Sequence, residues 1–419
     1  MRFKTLDEWL AWQEQLHPNP IDLGLHRVKR MLEILGLTKP GYRILTIGGT
    51  NGKGSSVAFA EAVLLAGGYK VGAYTSPHLL RYNERVRVGG VDAADAELCA
   101  SFERLDAARG DMSLTYFEFG TLAALDIFAQ RKVEVAVLEV GLGGRLDAVN
   151  ALDPDAALVA SVGLDHQDWL GPDRESIGFE KAGIYRGSRP ALCGDREPPV
   201  SLLRHAADIG AHLRVLGRDF DWRSEGEGWG WQGPEGTLHG LPQPALPGRI
   251  QYDNAATVLA ALRSLRDLLP LEEDAIHAGL SQAKVPARFQ RVAGEVECVF
   301  DVAHNPDAAR VLAANLEAMP AQGRTLGVFA MFKDKAVEEV ALALAVHLDV
   351  WYLGATGGPR GQSAAALVER VHKTVPQART FEHESVAEAY HAARREARAG
   401  DRVVIFGSFQ TVATALKEL

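Results

Sequence analysis

The sequence contains little that could build a disulfide framework or a cysteine-based metal centre. Only three cysteines occur among 419 residues, Cys99, Cys193 and Cys298, and they are scattered and odd in number. Disulfide-dependent secreted domains carry many paired cysteines, whereas cytoplasmic proteins keep theirs reduced. None of the three has the spacing of a metal ligand. The cysteine content therefore predicts a reduced, cytoplasmic protein.

The sequence also lacks a basic excess and a long apolar run. Its formal net charge is −9, which argues against nucleic acid or an anionic membrane as the main partner. No apolar stretch approaches the ~20 residues that span a bilayer. The first residues, MRFKTLDEW, lack the apolar segment of a signal peptide. An anionic substrate could still be held by a local basic pocket.

Strand-like and helix-like segments alternate along most of the chain, which predicts an α/β protein with largely parallel sheets. The alternation restarts after the segment QAKVPA, so we expect two domains, residues 1–284 and 285–419. In the first domain we expect strands at 43–48, 70–75, 133–140, 156–162 and 189–193, and helices at 5–16, 55–66, 92–108, 116–130, 199–209, 254–268 and 272–282. In the second domain we expect strands at 296–302, 325–330, 350–354, 378–382 and 402–407, and helices that include 335–348 and 385–398.

Residues 218–240 interrupt this alternation. They contain Trp222, Trp229 and Trp231 among glycines and acidic residues, which predicts a small antiparallel hairpin element. The tryptophans could stack on a ligand. We favour packing of this element on the main domain.

A glycine-rich turn at 48–55, GGTNGKGS, lies between a strand-like and a helix-like run. Backbone N–H groups of such a turn, together with the N-terminus of the following helix, favour an anion. Lys53 adds a positive charge, and Ser55 a hydroxyl for phosphate or Mg²⁺. Gly54 stands where the usual phosphate loop has a hydroxyl residue. The alternative is a turn that only satisfies chain geometry.

Three further segments follow predicted strands, where open α/β sheets bind their ligands. Ser76 follows one strand and precedes an arginine-rich stretch, which either closes over an anionic substrate or is a solvated loop. Glu139 ends a buried strand, where a carboxylate requires a partner or a metal. His166 follows a third strand. Hard oxygen ligands with one imidazole suit Mg²⁺ or Mn²⁺, although a structural role for each side chain is the alternative.

The second domain repeats this strand–turn–helix arrangement. The segment FDVAHNP places Asp301, His304 and Asn305 at a strand end. Asn305 could instead be a plain helix cap, with Pro306 at the first helical position. Arg288 follows the linker and could reach a phosphate.

Five ordered motifs together resemble one family, the folylpolyglutamate synthases and dihydrofolate synthases, which are relatives of the Mur ligases. The motifs are GTNGKGS at 49–55, TSPH at 75–78, LEVGLGGRLD at 138–147, EKAGI at 180–184 and DVAHN at 301–305. The resemblance implies a phosphate-loop, Mur-ligase-like first domain and a Rossmann-like second domain. It further implies ATP-dependent joining of L-glutamate to a folate carboxylate, through an acyl phosphate, with ADP and phosphate released.

The same resemblance implies which residues bind ATP, which bind metal ions and which take part in catalysis. The implied ATP contacts are Thr50, Asn51, Gly52, Lys53, Gly54, Ser55, Asn254, Arg288 and Asp301. The implied metal ligands are Ser76, Glu139, His166 and a carbamylated Lys181, for two Mg²⁺ ions or Mn²⁺. Composition alone would make Lys181 a surface lysine, whereas a carbamate would turn it into an anionic ligand. Lys53, Lys181 and His304 are the expected catalytic residues, with ATP expected between the two domains.

Family members that also use dihydropteroate carry an additional pterin site. Its pattern matches Asp22, Leu23 and Gly24, then Thr115, Tyr116, Phe117 and Glu118, and then Leu146, Asp147 and Ala148. We therefore expect a bifunctional enzyme acting on dihydropteroate and folates. Core packing is the alternative role for Phe117.

The sequence departs from the family pattern at Ala287, Val302 and Gln410, which puts the local backbone of the second domain in question. The nearest rival function is a Mur-type ligase that adds an amino acid to a cell-wall UDP-sugar peptide precursor. A nucleotide-binding regulator is a rival of another class, but it would not need a second metal. A monomer is the default expectation.

Overall fold

A computed structural model describes residues 2–419, which form two compact units. The first unit contains the chain up to Ala245 together with Gln251–Lys284. The second contains Leu246–Ile250 and Val285–Leu419. The chain thus passes from one unit to the other after Ala245, after Ile250 and after Lys284.

The first unit contains ten α-helices and eleven strands among its described residues. The helices are α1 (Leu6–Leu16), α2 (His26–Leu35), α3 (Lys53–Ala66), α4 (Asp95–Arg109), α5 (Tyr116–Arg131), α6 (Gln167–Leu170), α7 (Arg174–Ala182), α8 (Val200–Asp208), α9 (Ile250–Ser264) and α10 (Glu273–Gln282). The strands are β1 (Arg43–Gly48), β2 (Val71–Tyr74), β3 (Val86–Val88), β4 (Val91–Asp92), β5 (Val135–Glu139), β6 (Ala156–Val159), β7 (Pro190–Cys193), β8 (His212–Val215), β9 (Asp221–Glu225), β10 (Gly228–Gly233) and β11 (Gly236–Leu241).

Eight of these strands form one sheet in the order β4-β3-β2-β5-β1-β6-β7-β8. The six strands from β2 to β8 in this order are parallel, and β3 and β4 are antiparallel additions at one edge. Every residue of β5 is buried, as expected for a parallel strand covered by helices on both faces. The carboxyl ends of β2, β5, β1 and β6 are therefore neighbours at one edge of the sheet.

The strands β9, β10 and β11 form a separate three-stranded antiparallel sheet. Trp229 and Trp231 are fully buried, and their indole N–H groups donate to the carbonyls of Pro242 and Ala256. Trp222 stacks on Tyr252 with ring centroids 4.6 Å apart. The three tryptophans thus pack within the first unit. The sequence predicted a hairpin, which has two strands, whereas the observed antiparallel sheet has three.

The second unit is a six-stranded sheet with helices along it. Its elements are β12 (Gln290–Val292), β13 (Glu297–Phe300), α11 (Pro306–Ala318), β14 (Thr325–Phe329), α12 (Val337–Leu344), β15 (Val350–Gly354), α13 (Ala364–Thr374), β16 (Thr380–His383), α14 (Val386–Glu396), β17 (Arg402–Phe406) and α15 (Phe409–Leu416). The strand order is β12-β13-β17-β14-β15-β16. All neighbours pair in parallel except β12 with β13.

The predicted fold class is confirmed, with a mostly parallel sheet, a small antiparallel element and a second α/β unit. Several elements differ from the predictions, and the strands β3, β4 and β8 were not predicted. The helix α2 was not predicted, because its N-cap, Leu25, makes no side-chain capping bond that would mark a start. The helix α3 begins at Lys53 and not at 55, and α9 spans Ile250–Ser264 in place of 254–268.

Candidate active site

The glycine-rich turn joins β1 to α3 and has a backbone that only glycine adopts easily. Gly49 has φ +142° and Gly52 has φ +85°. A Cβ atom added to Gly52 would lie 2.6 Å from Asn254 Oδ1. The amide of Asn254 is held by Gln251, to which its Nδ2 donates at 3.0 Å. Asn254, on the distant helix α9, therefore packs directly against the turn.

Lys53 opens α3, and its ammonium group folds back over the turn. Its Nζ donates to the carbonyl oxygens of Gly49 at 3.0 Å and Thr50 at 3.2 Å. The turn is also fixed from β6, since Thr50 N–H donates to Ser161 O and Asn51 N–H donates to Ser161 Oγ. Gly54 and the buried Ser55 lie in the first turn of α3. The predicted ATP residues from Thr50 to Ser55 thus lie together in the turn between β1 and α3 and in the first turn of α3.

Three of the four predicted metal ligands, Ser76, Glu139 and His166, lie at or beyond the carboxyl ends of β2, β5 and β6. Glu139, the last residue of β5, is buried, and its Oε2 accepts from Ser76 N–H at 3.1 Å. Ser76 and His166 line the same cavity. Within residues 2–419 no three His, Cys, Asp or Glu side chains are grouped to hold a metal ion. Of these three side chains only Glu139 and His166 are of those types, and the third ligand would be the hydroxyl of Ser76.

Lys181 is buried near the end of α7, contrary to what composition alone suggested. Burial and the positive charge of Lys53 lower the pKa of Lys181 to about 7, while Asp165 and Asp147 act in the opposite direction. An amine with this pKa is substantially neutral at physiological pH. The side chain thus combines burial with the nucleophilic form of an amine.

A cavity of about 300 Å³ is bounded by all three segments of the predicted pterin site. Its walls include Asp22, Leu23, Gly24, Thr115, Tyr116, Phe117, Glu118, Leu146, Asp147 and Ala148, together with Arg85. Burial raises the pKa of Asp147 to about 7, although its carboxylate accepts N–H bonds from Leu142 and Val149. The structure therefore brings three distant segments of the sequence to one space beside Ser76 and His166.

Two arginines beside this cavity were not singled out by the sequence. Arg27 on α2 donates from Nη1 to Asp22 Oδ2 at 2.7 Å and from Nε to Glu118 Oε1 at 3.0 Å. Arg85, in the stretch after Ser76, lines the cavity itself. A buried Glu118 requires a cationic partner. The need of Glu118 for a cation could have been inferred from the sequence. The spacing of residues could not show that Arg27 is the arginine that pairs with it.

Phe117 touches the glycine loop that follows β5. A Cβ atom added to Gly141 would lie 2.5 Å from Phe117 Cζ. Both residues line the cavity, so the ring lies against the loop and forms part of the wall. The packing role and the ligand-facing role proposed for Phe117 are thus compatible.

We expect Gly141→Ala to raise the KM for a pteroyl acceptor by about tenfold or more, since overpacking of about 1–3 kcal/mol displaces the Phe117 ring. The KM for ATP should change less than threefold. The matched control is Gly41→Ala, because no atom lies within 4 Å of the added methyl group. Steady-state kinetics with each substrate varied separately measure the effect. Equal KM values for the acceptor in both variants would contradict the conclusion that Phe117 forms part of the binding cavity.

In the second unit, Arg288, Asp301 and His304 gather at the carboxyl end of β13. Asp301 accepts N–H bonds from Phe289 and Ala303, each at 2.8 Å. Burial raises the pKa of Asp301, against the opposing charge of Arg288. His304 Nδ1 lies 2.8 Å from Val302 O. Asn305 caps α11 by accepting from Ala308 N–H at 2.9 Å, so the capping alternative describes its observed contact.

The departures from the family pattern have different structural consequences. Ala287 adopts a left-handed backbone, with φ +57°, which explains why glycine is the usual residue there. Val302 lies outside the left-handed region and donates its N–H to Ala287 O at 3.1 Å. Gln410 is exposed in the first turn of α15. The backbone around Arg288 therefore keeps the geometry that glycine would favour.

Comparisons with known proteins agree with this arrangement. A family model described as "Mur ligase, glutamate ligase domain" matches residues 287–409. A protein of Escherichia coli (strain K12) described as "Dihydrofolate synthase/folylpolyglutamate synthase" is 46% identical over 412 residues, which cover 98% of this chain and 95% of that protein. The chain belongs to the dihydrofolate synthase/folylpolyglutamate synthase family. The resemblance inferred from the five ordered motifs is therefore confirmed.

Solved structures of the dihydrofolate synthase/folylpolyglutamate synthase family have the same fold. The structure of E. coli FolC in complex with DHPP and ADP aligns with a TM-score of 0.93 at 45% identity and covers 99% of this chain and 97% of that one. A bifunctional folylpolyglutamate synthase/dihydrofolate synthase from Yersinia pestis, complexed with AMPPNP and Mn ion, aligns with a TM-score of 0.91 at 46% identity, covering 99% and 98%. In residues 2–419 no helix has the length and apolarity to cross a membrane.

Proposed function

We propose that this protein is a bifunctional ATP-dependent ligase. It joins L-glutamate to dihydropteroate, giving dihydrofolate, and adds further glutamates to reduced folates. The observation that carries the proposal is the cavity in which all three predicted pteroyl-binding segments meet Ser76 and His166. Family membership and the E. coli FolC complex with DHPP and ADP support it.

The reaction would proceed in two steps. The acceptor carboxylate attacks the γ-phosphorus of ATP, which forms an acyl phosphate and releases ADP. The glutamate amine then attacks the acyl carbon, and phosphate leaves from the tetrahedral intermediate. No protein nucleophile is needed, so the protein contributes positioning and charge neutralisation. His304 is a candidate to accept the proton that the amine loses.

The phosphate tail would bind the turn at Thr50–Ser55, with Lys53 as its cation. Glycines in the left-handed region leave space for close approach of an anion to the backbone. Asn254 supports the turn from α9. Arg288 and Asp301 are proposed as further ATP contacts from the second unit.

A divalent metal fits Ser76, Glu139 and His166. Glu139 is a buried carboxylate already oriented by Ser76 N–H, and the set supplies a hydroxyl, a carboxylate and an imidazole, which suit Mg²⁺ or Mn²⁺. Such an ion would offset the negative charge of the triphosphate and the acceptor. The Yersinia pestis relative was solved with Mn ion and AMPPNP.

We further propose that Lys181 is carbamylated and serves a second metal ion. Its burial and its lowered pKa favour the neutral amine, which is the form that adds CO₂. The carbamate would convert a buried amine into an anionic oxygen ligand. The protein is proposed to be a cytoplasmic monomer, and its free, buried cysteines agree with a reducing compartment.

ATP turnover should depend on both a pteroyl acceptor and L-glutamate. A phosphate-release assay is run with dihydropteroate, a tetrahydrofolate or a UDP-sugar peptide precursor as the acceptor. We expect release with the first two acceptors and only in the presence of L-glutamate. Turnover with the UDP-sugar peptide alone would support the Mur-type alternative. Phosphate release that ignores every acceptor would overturn the ligase proposal.

A further inference from the structure

The cavity wall contains a buried arginine that is neutralised by no carboxylate in the described part of the chain. Arg85 is 9% exposed, and among residues 2–419 it forms no ion pair with any Asp or Glu. It is also the one Arg or Lys among the described residues that bound the cavity. A buried cation without a counter-charge is costly, so its retention requires an explanation.

The nearby carboxylates are committed to other donors. Glu84, the preceding residue, accepts N–H bonds from Leu79, Leu80 and Arg81, each at 2.7 Å. Asp22 and Glu118 are held by Arg27. Asp147 accepts from two backbone N–H groups. None of these acids is directed at Arg85.

The Arg85 side chain is nevertheless held firmly. Its Nε donates to His78 Nδ1 at 2.9 Å, and its guanidinium carbon lies 5.3 Å and 5.5 Å from the ring centroids of Tyr82 and Tyr116. A guanidinium has five N–H donors, so these neutral contacts fix the group and leave donors for a carboxylate.

The two proposed acceptors differ in the number of carboxylates that they carry. Dihydropteroate has one, which must be the group that is activated. A folate with one glutamate has two: the γ-carboxylate is activated, and the α-carboxylate stays intact. An α-carboxylate taken into the cavity without a cation would incur a large desolvation cost.

We propose that Arg85 binds the α-carboxylate of the acceptor's terminal glutamate and so selects for the folate reaction over the dihydropteroate reaction. This inference rests on the proposed function, because it gives a binding role to one residue in the wall of the proposed pteroyl cavity. Arg85 then contributes more to the second reaction than to the first. A bidentate fork suits a carboxylate better than an ammonium group does.

The test compares Arg85→Met with wild type on three acceptors, namely dihydropteroate, tetrahydropteroyl-glutamate and tetrahydropteroyl-4-aminobutyrate. The aminobutyrate compound keeps the carboxylate to be activated and lacks the α-carboxylate. For Arg85→Met we expect kcat/KM with the glutamate compound to fall about 100-fold, since a buried charge pair loses one partner. With dihydropteroate, which has no α-carboxylate, the loss should be smaller by about tenfold or more. Wild type should lose about 100-fold on the aminobutyrate compound, and Arg85→Met should lose nothing further.

The control is Arg81→Met, because the Arg81 side chain is 69% exposed and pairs with Asp95 at the surface. We expect it to match wild type on all three acceptors. Equal losses with dihydropteroate and the glutamate compound, or a raised KM for L-glutamate with both, would overturn the role of Arg85. A wild-type protein inactive on every pteroyl acceptor would instead overturn the proposed function. Arg85→Lys should restore only part of the loss.

Discussion

Replacing Lys53 with Met is expected to lower kcat for both glutamate ligations by about 100- to 1,000-fold, as loss of a charge-stabilising donor does in other active sites. The ammonium group of Lys53 is held over the turn by the carbonyls of Gly49 and Thr50. It is thus positioned before any nucleotide arrives. Methionine keeps most of the apolar stem and removes the charge.

The matched control for Lys53→Met is Lys70→Met, since Lys70 is exposed just before β2. Both variants are assayed by phosphate release, and thermal unfolding checks that each is folded. We expect the control to retain wild-type turnover. Turnover of the Lys53 variant within tenfold of wild type would contradict the proposal that Lys53 binds the phosphates of ATP.

Replacing Lys181 with Ala is expected to reduce turnover about 100-fold or more, because the proposed carbamate contributes an anionic ligand that alanine lacks. Acetate or propionate should restore part of the activity by entering the space that the side chain leaves. Bicarbonate depletion should lower wild-type activity and leave the variant unchanged. Intact-protein mass spectrometry under gentle conditions would detect the added CO₂ directly.

Lys29→Ala provides the comparison for Lys181→Ala, since Lys29 is exposed on α2. It should match wild type, with no response to acetate. The unfolding midpoint distinguishes a catalytic defect from a folding defect, because alanine also leaves a cavity. Wild-type turnover in Lys181→Ala would eliminate the carbamate proposal.

Much of this architecture could be inferred from local patterns in the sequence. The segment VAVLE of β5 is apolar throughout, and the turn before Lys53 has glycines where the backbone becomes left-handed. Such signals act over a few residues and indicate strands, turns and their order. The order then brings Ser76, Glu139 and His166 to one sheet edge, because parallel strands place their carboxyl ends together.

Other features depend on contacts between distant segments and left no local signal. Asn254 lies against Gly52 although some two hundred residues separate them. The burial of Lys181 and its lowered pKa arise from the surrounding structure and from Lys53, so composition gave the wrong exposure. Arg27 and Arg85 look alike in the sequence. Among the residues that the structure describes, Arg27 is paired with two carboxylates and Arg85 with none.

The interlaced boundary between the units bears on any attempt to dissect the protein. Residues Leu246–Ile250 belong to the second unit although the chain then returns to the first. Leu246 is buried, and a Cβ atom on Gly248 would lie 2.5 Å from Asn315 Oδ1 on α11. A fragment that starts at residue 285 would therefore lack the segment Leu246–Ile250, which packs against the second unit. Autonomous folding of the C-terminal portion would require that segment to be grafted back, and a single proteolytic cut could not release an intact half.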